Sequence, residues 1–254
     1  VTKPTVAFFK FSSCAGCQLS VLNLEPVLLD IVGAIDIRYF VMAKRENFEG
    51  PYDIGFVEGA VTSPRELLEL KKIREECSIL VAQGSCACHG GLPSIKNYCG
   101  MTQKEMEEKV YSELWDLKSI PAQGIDYYVK VDAYLRGCPM NLGEFVTLVK
   151  SALKGINPLF RYHSICNECK LKENNCLLLQ GIPCMGPVTA AGCGAECPSL
   201  GRGCEGCRGP ASDCNAASLA RTFADMGLSK DDVVRKFRKY AGNTPEFSKG
   251  AEAL

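Results

Sequence analysis

Nine of the sixteen cysteines in this 254-residue chain fall in one run, Cys166-x2-Cys169-x6-Cys176-x7-Cys184-x8-Cys193-x3-Cys197-x6-Cys204-x2-Cys207-x6-Cys214. Thiols at this density serve a disulfide scaffold, a zinc module or iron-sulfur clusters, and each use places a different demand on the rest of the chain. Disulfides staple small secreted domains that cannot bury a core. Here 46% of the residues are hydrophobic and the apolar segments are long enough to build one. Val1 to Lys10 shows no signal-peptide pattern, although a mature chain would have lost one. No apolar stretch reaches the length of a membrane span, since even Thr5 to Phe11 is interrupted by Lys10. Zinc sites usually close with two Cys-x2-Cys pairs, whereas the second half of each group here spreads over wider, unequal gaps. That spread suits iron-sulfur clusters better.

The charges balance, with 29 Lys and Arg against 29 Asp and Glu, so there is no basic excess of the kind nucleic acid requires. The basic run Arg235 to Lys239 is offset by Asp231 and Asp232. The uneven cysteine distribution predicts two domains, a cysteine-sparse α/β part over 1–155 and a cysteine-, glycine- and proline-rich part over 156–254. Reduced thiols without an export pattern predict a cytoplasmic location.

Thr5 to Phe11 reads as a buried first strand, and Cys14-Ala-Gly-Cys17 follows it directly. Gln18 to Val32 has apolar residues on a helical face, with Pro26 marking a first turn or a kink. Ile37 to Met42 and Ile54 to Val57 read as the next strands, the second opening onto Glu58-Gly59. Ser63-Pro64-Arg65-Glu66 starts a helix by a capping box. Ser78 to Ala82 is another buried strand, followed by Gly84-Ser-Cys86-Ala-Cys88-His-Gly-Gly91, which lacks the Lys-Ser/Thr of a P-loop and the spacing of a dinucleotide fingerprint. A helix from about Thr102 to Lys118 carries a second capping box, Thr102 with Glu105. Tyr127 to Leu135 reads as the last strand and runs into Arg136-Gly-Cys138-Pro139. Asn141 with Glu144 caps a helix to about Lys154. Two short helices, about Ala216 to Met226 and Lys230 to Tyr240, follow the cysteine run.

Cys14 and Cys17, Cys86, and Cys138 thus sit in loops at the C-terminal ends of three strands, where an open parallel sheet binds its ligands. Four thiols on one point is the number one [4Fe-4S] cluster needs. Cys77, Cys88 and Cys99 lack this placement and read as structural.

Taken in order, Cys14-Ala-Gly-Cys17, Glu58-Gly59, Gly84-Ser-Cys86 with Gly90-Gly91, Gly137-Cys138-Pro139, Cys184-Met-Gly-Pro-Val-Thr-Ala-Ala-Gly-Cys193 and Gly203-Cys204-Glu-Gly-Cys207 resemble the small, electron-transferring subunit of the [NiFe] hydrogenases over nearly the whole chain. The resemblance implies a flavodoxin-like parallel-sheet domain followed by a mostly irregular iron-sulfur domain with short C-terminal helices. It implies three [4Fe-4S] clusters: a proximal one on Cys14, Cys17, Cys86 and Cys138, a medial one on Cys193, Cys197, Cys204 and Cys207, and a distal one on Cys166, Cys169, Cys176 and Cys184. Many relatives have a histidine where Cys166 stands and a proline near Cys197. His163 in place of Cys166, and Cys214 in place of Cys197, are alternative ligands. Glu58 would either pass protons near the large-subunit interface or act as a hydrogen-bonded turn carboxylate. No proton-handling role transfers to Ser13, where relatives often carry an acid.

The length, the three-group pattern and the lack of an appended ferredoxin repeat look like the cytosolic methyl viologen-reducing type of methanogens. In that type hydrogen is split in a [NiFe] large subunit, and electrons leave through a [2Fe-2S] subunit to heterodisulfide reductase, without membrane or nucleic acid. Two rivals stand beside this reading: a cluster-bearing subunit of a Complex I-like dehydrogenase, which typically has adjacent cysteines where Cys14 and Cys17 are separated, and a zinc-binding interaction module.

Overall fold

A computed structural model of the chain describes residues 3–113, 118–156, 158, 160 and 162–254. Its first half is built on five strands, β1 (Thr5–Lys10), β2 (Asp36–Phe40), β3 (Tyr52–Glu58), β4 (Cys77–Gln83) and β5 (Ala133–Leu135). They pair in parallel in the order β2-β1-β3-β4-β5. This is the flavodoxin-like order, in which the direction of sheet growth reverses between β1 and β3 and a crevice opens beyond their C-terminal ends.

Parallel strands covered on both faces are apolar almost throughout, as in Val6-Ala-Phe-Phe9 and Leu80-Val-Ala82. One face packs Val6, Phe8, Phe40, Phe56 and Val81 under α1 (Gly16–Leu22), α2 (Glu25–Ala34) and the helix Leu142–Leu153. Its centre is a set of rings, Phe8 to Phe40 at 4.5 Å, Phe8 to Phe56 at 4.9 Å and Phe56 to Phe145 at 5.3 Å. The other face packs Phe9, Val57, Leu80 and Ala82 against Leu70 and Ile73 of α3 (Pro64–Glu76).

The start of α3 follows the sequence signal atom for atom. Ser63 Oγ accepts from Glu66 N at 3.2 Å while Glu66 Oε2 accepts from Ser63 N at 3.1 Å. Ser63→Ala is expected to cost ~1 kcal/mol, read as a lower urea midpoint with an unchanged slope. Three elements differ from the sequence reading. The helix expected over Gln18 to Val32 is two, α1 and α2, with Pro26 in the first turn of the second. Proline has no N–H to continue the α1 ladder but is tolerated in a first turn. The strand expected over Tyr127 to Leu135 shortens to β5, and Ile125–Tyr127 forms a 3-10 turn with Ile125 buried. Asp132 is the cause: its carboxylate accepts from Leu80 N at 2.8 Å and Arg74 Nη1 at 2.6 Å, taking with a side chain what the ladder would have used. The helix expected from Thr102 to Lys118 begins at its capping box but runs only Gln103–Val110, because Tyr111 is extended; its residues 114–117 lie outside the described residues. These short helices, α4 (Gly84–His89) and α5 (Gln103–Val110), precede α6 (Leu142–Leu153), whose start Asn141 caps by accepting from Glu144 N at 3.0 Å.

The second half has a core of its own, Ile165, Met185, Val188, Phe223, Phe237 and Phe247, into which Cys184 and Cys204 are packed. Most of its cysteine-bearing backbone is turns, relieved by α7 (Cys166–Leu171) and α8 (Glu196–Ser199). Beneath them lie α9 (Ala216–Asp225), α10 (Lys230–Arg238) and a helix the sequence reading missed, α11 (Pro245–Ala251). Its signal was present as Thr244-Pro245-Glu246, proline at the first helical position after a threonine. Among the described residues no helix is long and apolar enough to cross a membrane.

Candidate metal centres

All sixteen cysteines are free thiols. After β1 the chain turns through Ala15, held at φ 63°, into α1, leaving Cys14 exposed and Cys17 buried. Glu58 ends β3 and is only 2% exposed. Its carboxylate accepts from Gln18 N at 2.9 Å and Cys17 N at 3.3 Å, so it caps the first turn of α1 and aims Cys17. Burial pushes the Glu58 carboxyl above the usual carboxylate range, and these two amides pull it partly back. After β4, Ser85 N donates to Gly137 O at 2.8 Å, tying the Cys86 loop to the Cys138 loop. Met140 N donates to Cys17 Sγ at 3.4 Å.

The three loops bring Cys14, Cys17, Cys86 and Cys138 together. Burial pushes Cys86 up to about 12, with Cys138 and Cys14 adding to the rise. Burial also raises Cys17, helped by Glu58 and then by Cys138 and Cys86, and raises Cys138, helped by Cys14 and Glu58.

The second half gathers its thiols in two further groups. Cys166 and Cys169 come from α7, Cys176 from the loop after it and Cys184 from the turn before Gly186; beyond its burial, Cys166 is raised by Cys184, Cys169 and Cys176. Cys204 N donates to Cys184 Sγ at 3.2 Å. Burial pushes Cys207 up to about 11, and Cys193, Cys138 and Cys197 add to it. Burial raises Cys204 too, with Cys184 and Cys207 beside it. The groups lie end to end: Ser85 Oγ, beside Cys86 of the first, donates to Cys207 O of the second, and the amide of Cys204 in the second meets Cys184 Sγ of the third.

The remaining cysteines stand apart from these groups. Cys88 Sγ donates to Ala82 O at 3.6 Å and Leu135 O at 3.8 Å, Cys77 is buried beneath β3 beside Gly55, and Cys99 bonds Lys96 O at 3.0 Å. Cys214 is pushed up to about 11 by burial and by the carboxylates of Glu246 and Asp213, with no thiol acting on it. Cys214→Ser is accordingly expected to leave iron per chain unchanged, checked by metal analysis of anaerobically purified protein. His163 meets the cysteine segment through its carbonyl, which accepts from Ala191 N at 2.8 Å.

Two features bear on what could be held at the first group. A methyl on Gly84, at φ +81°, would lie 2.4 Å from Cys17 Sγ, and one on Gly91, at φ +53°, 2.7 Å from Cys86 Sγ, so the backbone is kept bare where it meets the thiols. Gln83, which ends β4 in register with Glu58, is fully buried, and among the described residues neither its Nε2 donor nor its Oε1 acceptor has a partner. Four thiols from three loops, with bare glycine backbone beside two of them, fit an iron-sulfur cluster. Sequence reasoning missed Gln83 and the buried Arg208, because a polar residue in a strand or after a cysteine has no periodic signature.

The family described as NADH ubiquinone oxidoreductase, 20 Kd subunit, matches residues 14–152. Sulfhydrogenase 2 subunit delta of Pyrococcus furiosus is 36% identical over 92% of this chain and 97% of its own. A subunit of the F420-non-reducing hydrogenase vhu of Methanocaldococcus jannaschii is 28% identical over 92% of this chain and 93% of its own. In fold, a chain of the actinobacterial-type NiFe-hydrogenase from Ralstonia eutropha H16 superposes with a TM-score of 0.59, covering 94% of this chain and 90% of that one at 15% identity. With the flavodoxin-like order, the thiols beyond its strand ends and these relatives together, the chain belongs to the family of small, electron-transfer subunits of the [NiFe] hydrogenases.

Proposed function

We propose that this subunit holds three [4Fe-4S] clusters and relays electrons between a hydrogen-activating large subunit and an acceptor that docks near Cys166 to Cys184. Cys14, Cys17, Cys86 and Cys138 hold the proximal cluster, Cys193, Cys197, Cys204 and Cys207 the medial one, and Cys166, Cys169, Cys176 and Cys184 the distal one. The observation that carries this reading is the end-to-end order of the thiol groups, with Ser85 Oγ beside Cys86 donating to Cys207 O and Cys204 N donating to Cys184 Sγ. Bound clusters supply one-electron transfer; the chain supplies their order, spacing and surroundings. Glu58 holds Cys17 in place from the end of β3, and bare glycine backbone admits the proximal group. Cys197 rather than Cys214 completes the medial set: both stand near carboxylates, but Cys197 also has Cys193 and Cys184 beside it, whereas no thiol acts on Cys214. We place the division at 155/156, close to the gap between the sheet core, against which Phe160 still packs, and the core of the cluster region, which begins at Ile165.

Relatives named as F420-non-reducing hydrogenase subunits agree with the methanogen type, and for that type we propose a cytoplasmic complex with a [2Fe-2S] subunit and heterodisulfide reductase as onward partners. The Complex I-like reading draws on the family match, but that match ends at residue 152 and leaves two four-thiol groups without a purpose. Iron, zinc and acid-labile sulfide per chain, measured on protein purified without oxygen, test the proposal. About twelve iron and twelve sulfide are expected from three four-iron clusters. About eleven iron would remove Cys197 from the ligands, about four would favour the Complex I-like reading, and zinc without sulfide would end both electron-transfer readings.

A further inference from the structure

We propose that Arg208 is a positioning residue that fixes the gap between the proximal and medial thiol sets by pairing with Glu144. The inference rests on the relay reading. Arg208 follows Cys207 and is 1% exposed, which makes it the largest fully buried side chain among the described residues. Its guanidinium reaches three parts of the chain at once. Nε donates to Ala191 O at 2.8 Å and Ala190 O at 3.1 Å, just before Cys193. Nη1 donates to Arg136 O at 2.7 Å, two residues before Cys138. Nη2 donates to Glu144 Oε1 at 2.7 Å, on α6 of the sheet half. One planar group therefore ties the strand end that carries a proximal ligand to the two loops that carry medial ligands.

The same segment is strapped to the sheet half at further points. Ser85 Oγ, beside Cys86, donates to Cys207 O; His89 Nε2 lies 3.3 Å from Arg208 O; Arg136 Nη1 donates to Pro210 O at 3.2 Å while its guanidinium lies 4.0 Å from the centre of the Tyr162 ring. Gly192, at φ +123°, is the opening through which the pair meets: a methyl there would lie 2.1 Å from Arg208 Nη2 and 2.3 Å from Glu144 Oε1. A buried charge is costly unless paired, and an apolar filler would serve stability as well. What only a guanidinium offers is donors fixed in one plane, able to hold several acceptors in register; a lysine ammonium is a point charge on a flexible stem. Electron transfer between two centres falls steeply with their separation, so a rigid fork between their ligand loops acts on the rate directly.

The test uses the assembled hydrogenase, purified without oxygen, carrying Arg208→Lys, Glu144→Gln or Gly192→Ala in this chain. Iron and sulfide per chain report assembly, the magnetic splitting between the reduced proximal and medial clusters reports their geometry, and hydrogen-driven dye reduction reports the relay. Arg208→Lys is expected to keep its iron, change the splitting and slow dye reduction about tenfold or more, with a smaller change in Glu144→Gln, whose amide oxygen still accepts. Native splitting and rate in Arg208→Lys with full iron overturn the inference. Should Arg208→Lys lose iron, Gly192→Ala keeps the arginine and pushes on the pair; changed splitting there supports the inference and native splitting overturns it. An unsubstituted protein lacking proximal or medial iron overturns the relay reading itself, and the inference with it.

Discussion

Cys86→Ser is expected to remove about four iron and four sulfide per chain and to abolish hydrogen-dependent dye reduction by the assembled complex. The effect is large because the site has no substitute for this thiol. Cys86 sits in the turn that Gly91 closes, packed so tightly that a methyl on Gly91 would lie 2.7 Å from its sulfur. Cys88 stands two residues further along the same helix and fails on geometry: its thiol is committed to the carbonyls of Ala82 and Leu135 inside the sheet core. Cys88→Ser therefore serves as the matched control. It is expected to keep full iron and full dye reduction and to shift stability by ~1 kcal/mol, the ordinary cost of a buried polar change whose hydrogen bonds survive. Metal analysis and urea unfolding of the two variants read both effects. If Cys88→Ser lost iron as Cys86→Ser does, the proximal thiol set would be misassigned.

What the sequence made legible follows from which forces are local. The first four strand runs, the capping boxes at Ser63 and Thr102 and the cysteines after strand ends depend on residues within a few positions of one another, and each appears close to where the pattern places it. The shortened β5 was not legible, because the competitor for the ladder is the Asp132 carboxylate bonding Leu80 some fifty residues away. The break between α1 and α2 was half legible: Pro26 marked a turn or a kink, and only packing chooses the turn. In the site, the grouping of thiols could be written down from spacing and resemblance, but what stands between the groups could not. Arg208, Glu144 and Gly192 meet from three separate segments, and a buried ion pair leaves no pattern in any one of them. Gln83 lies one residue past the strand read from the sequence, and nothing local signals its burial or its unpartnered amide.

Phe237→Ala is expected to cost ~3–5 kcal/mol and to release medial and distal iron at denaturant concentrations where proximal iron is retained. Phe237 is fully buried at the centre of the second core, with Phe247 at 5.6 Å and Phe223 at 6.5 Å, and Gly250 packs so closely that a methyl there would lie 2.5 Å from the ring. Removing the ring leaves a cavity among three helices that have little else to bury: α9, α10 and α11 are short, and turns rather than regular elements connect them to the cysteines above. Cys184 and Cys204, one ligand each of the proposed distal and medial clusters, belong to that same core, so loosening it loosens both sites together. The proximal thiols answer to a different core. Cys17 packs with Phe8, Phe56 and Phe145 on the sheet, and none of these residues is shared with the second core. Iron retained per chain across a urea titration reads the difference, with about eight of twelve iron atoms leaving in an earlier step in the variant. A single step releasing all the iron at once would mean that the contacts between the halves, Arg208 with Glu144 foremost, couple the two cores into one cooperative unit, and that the clamp governs unfolding as well as spacing.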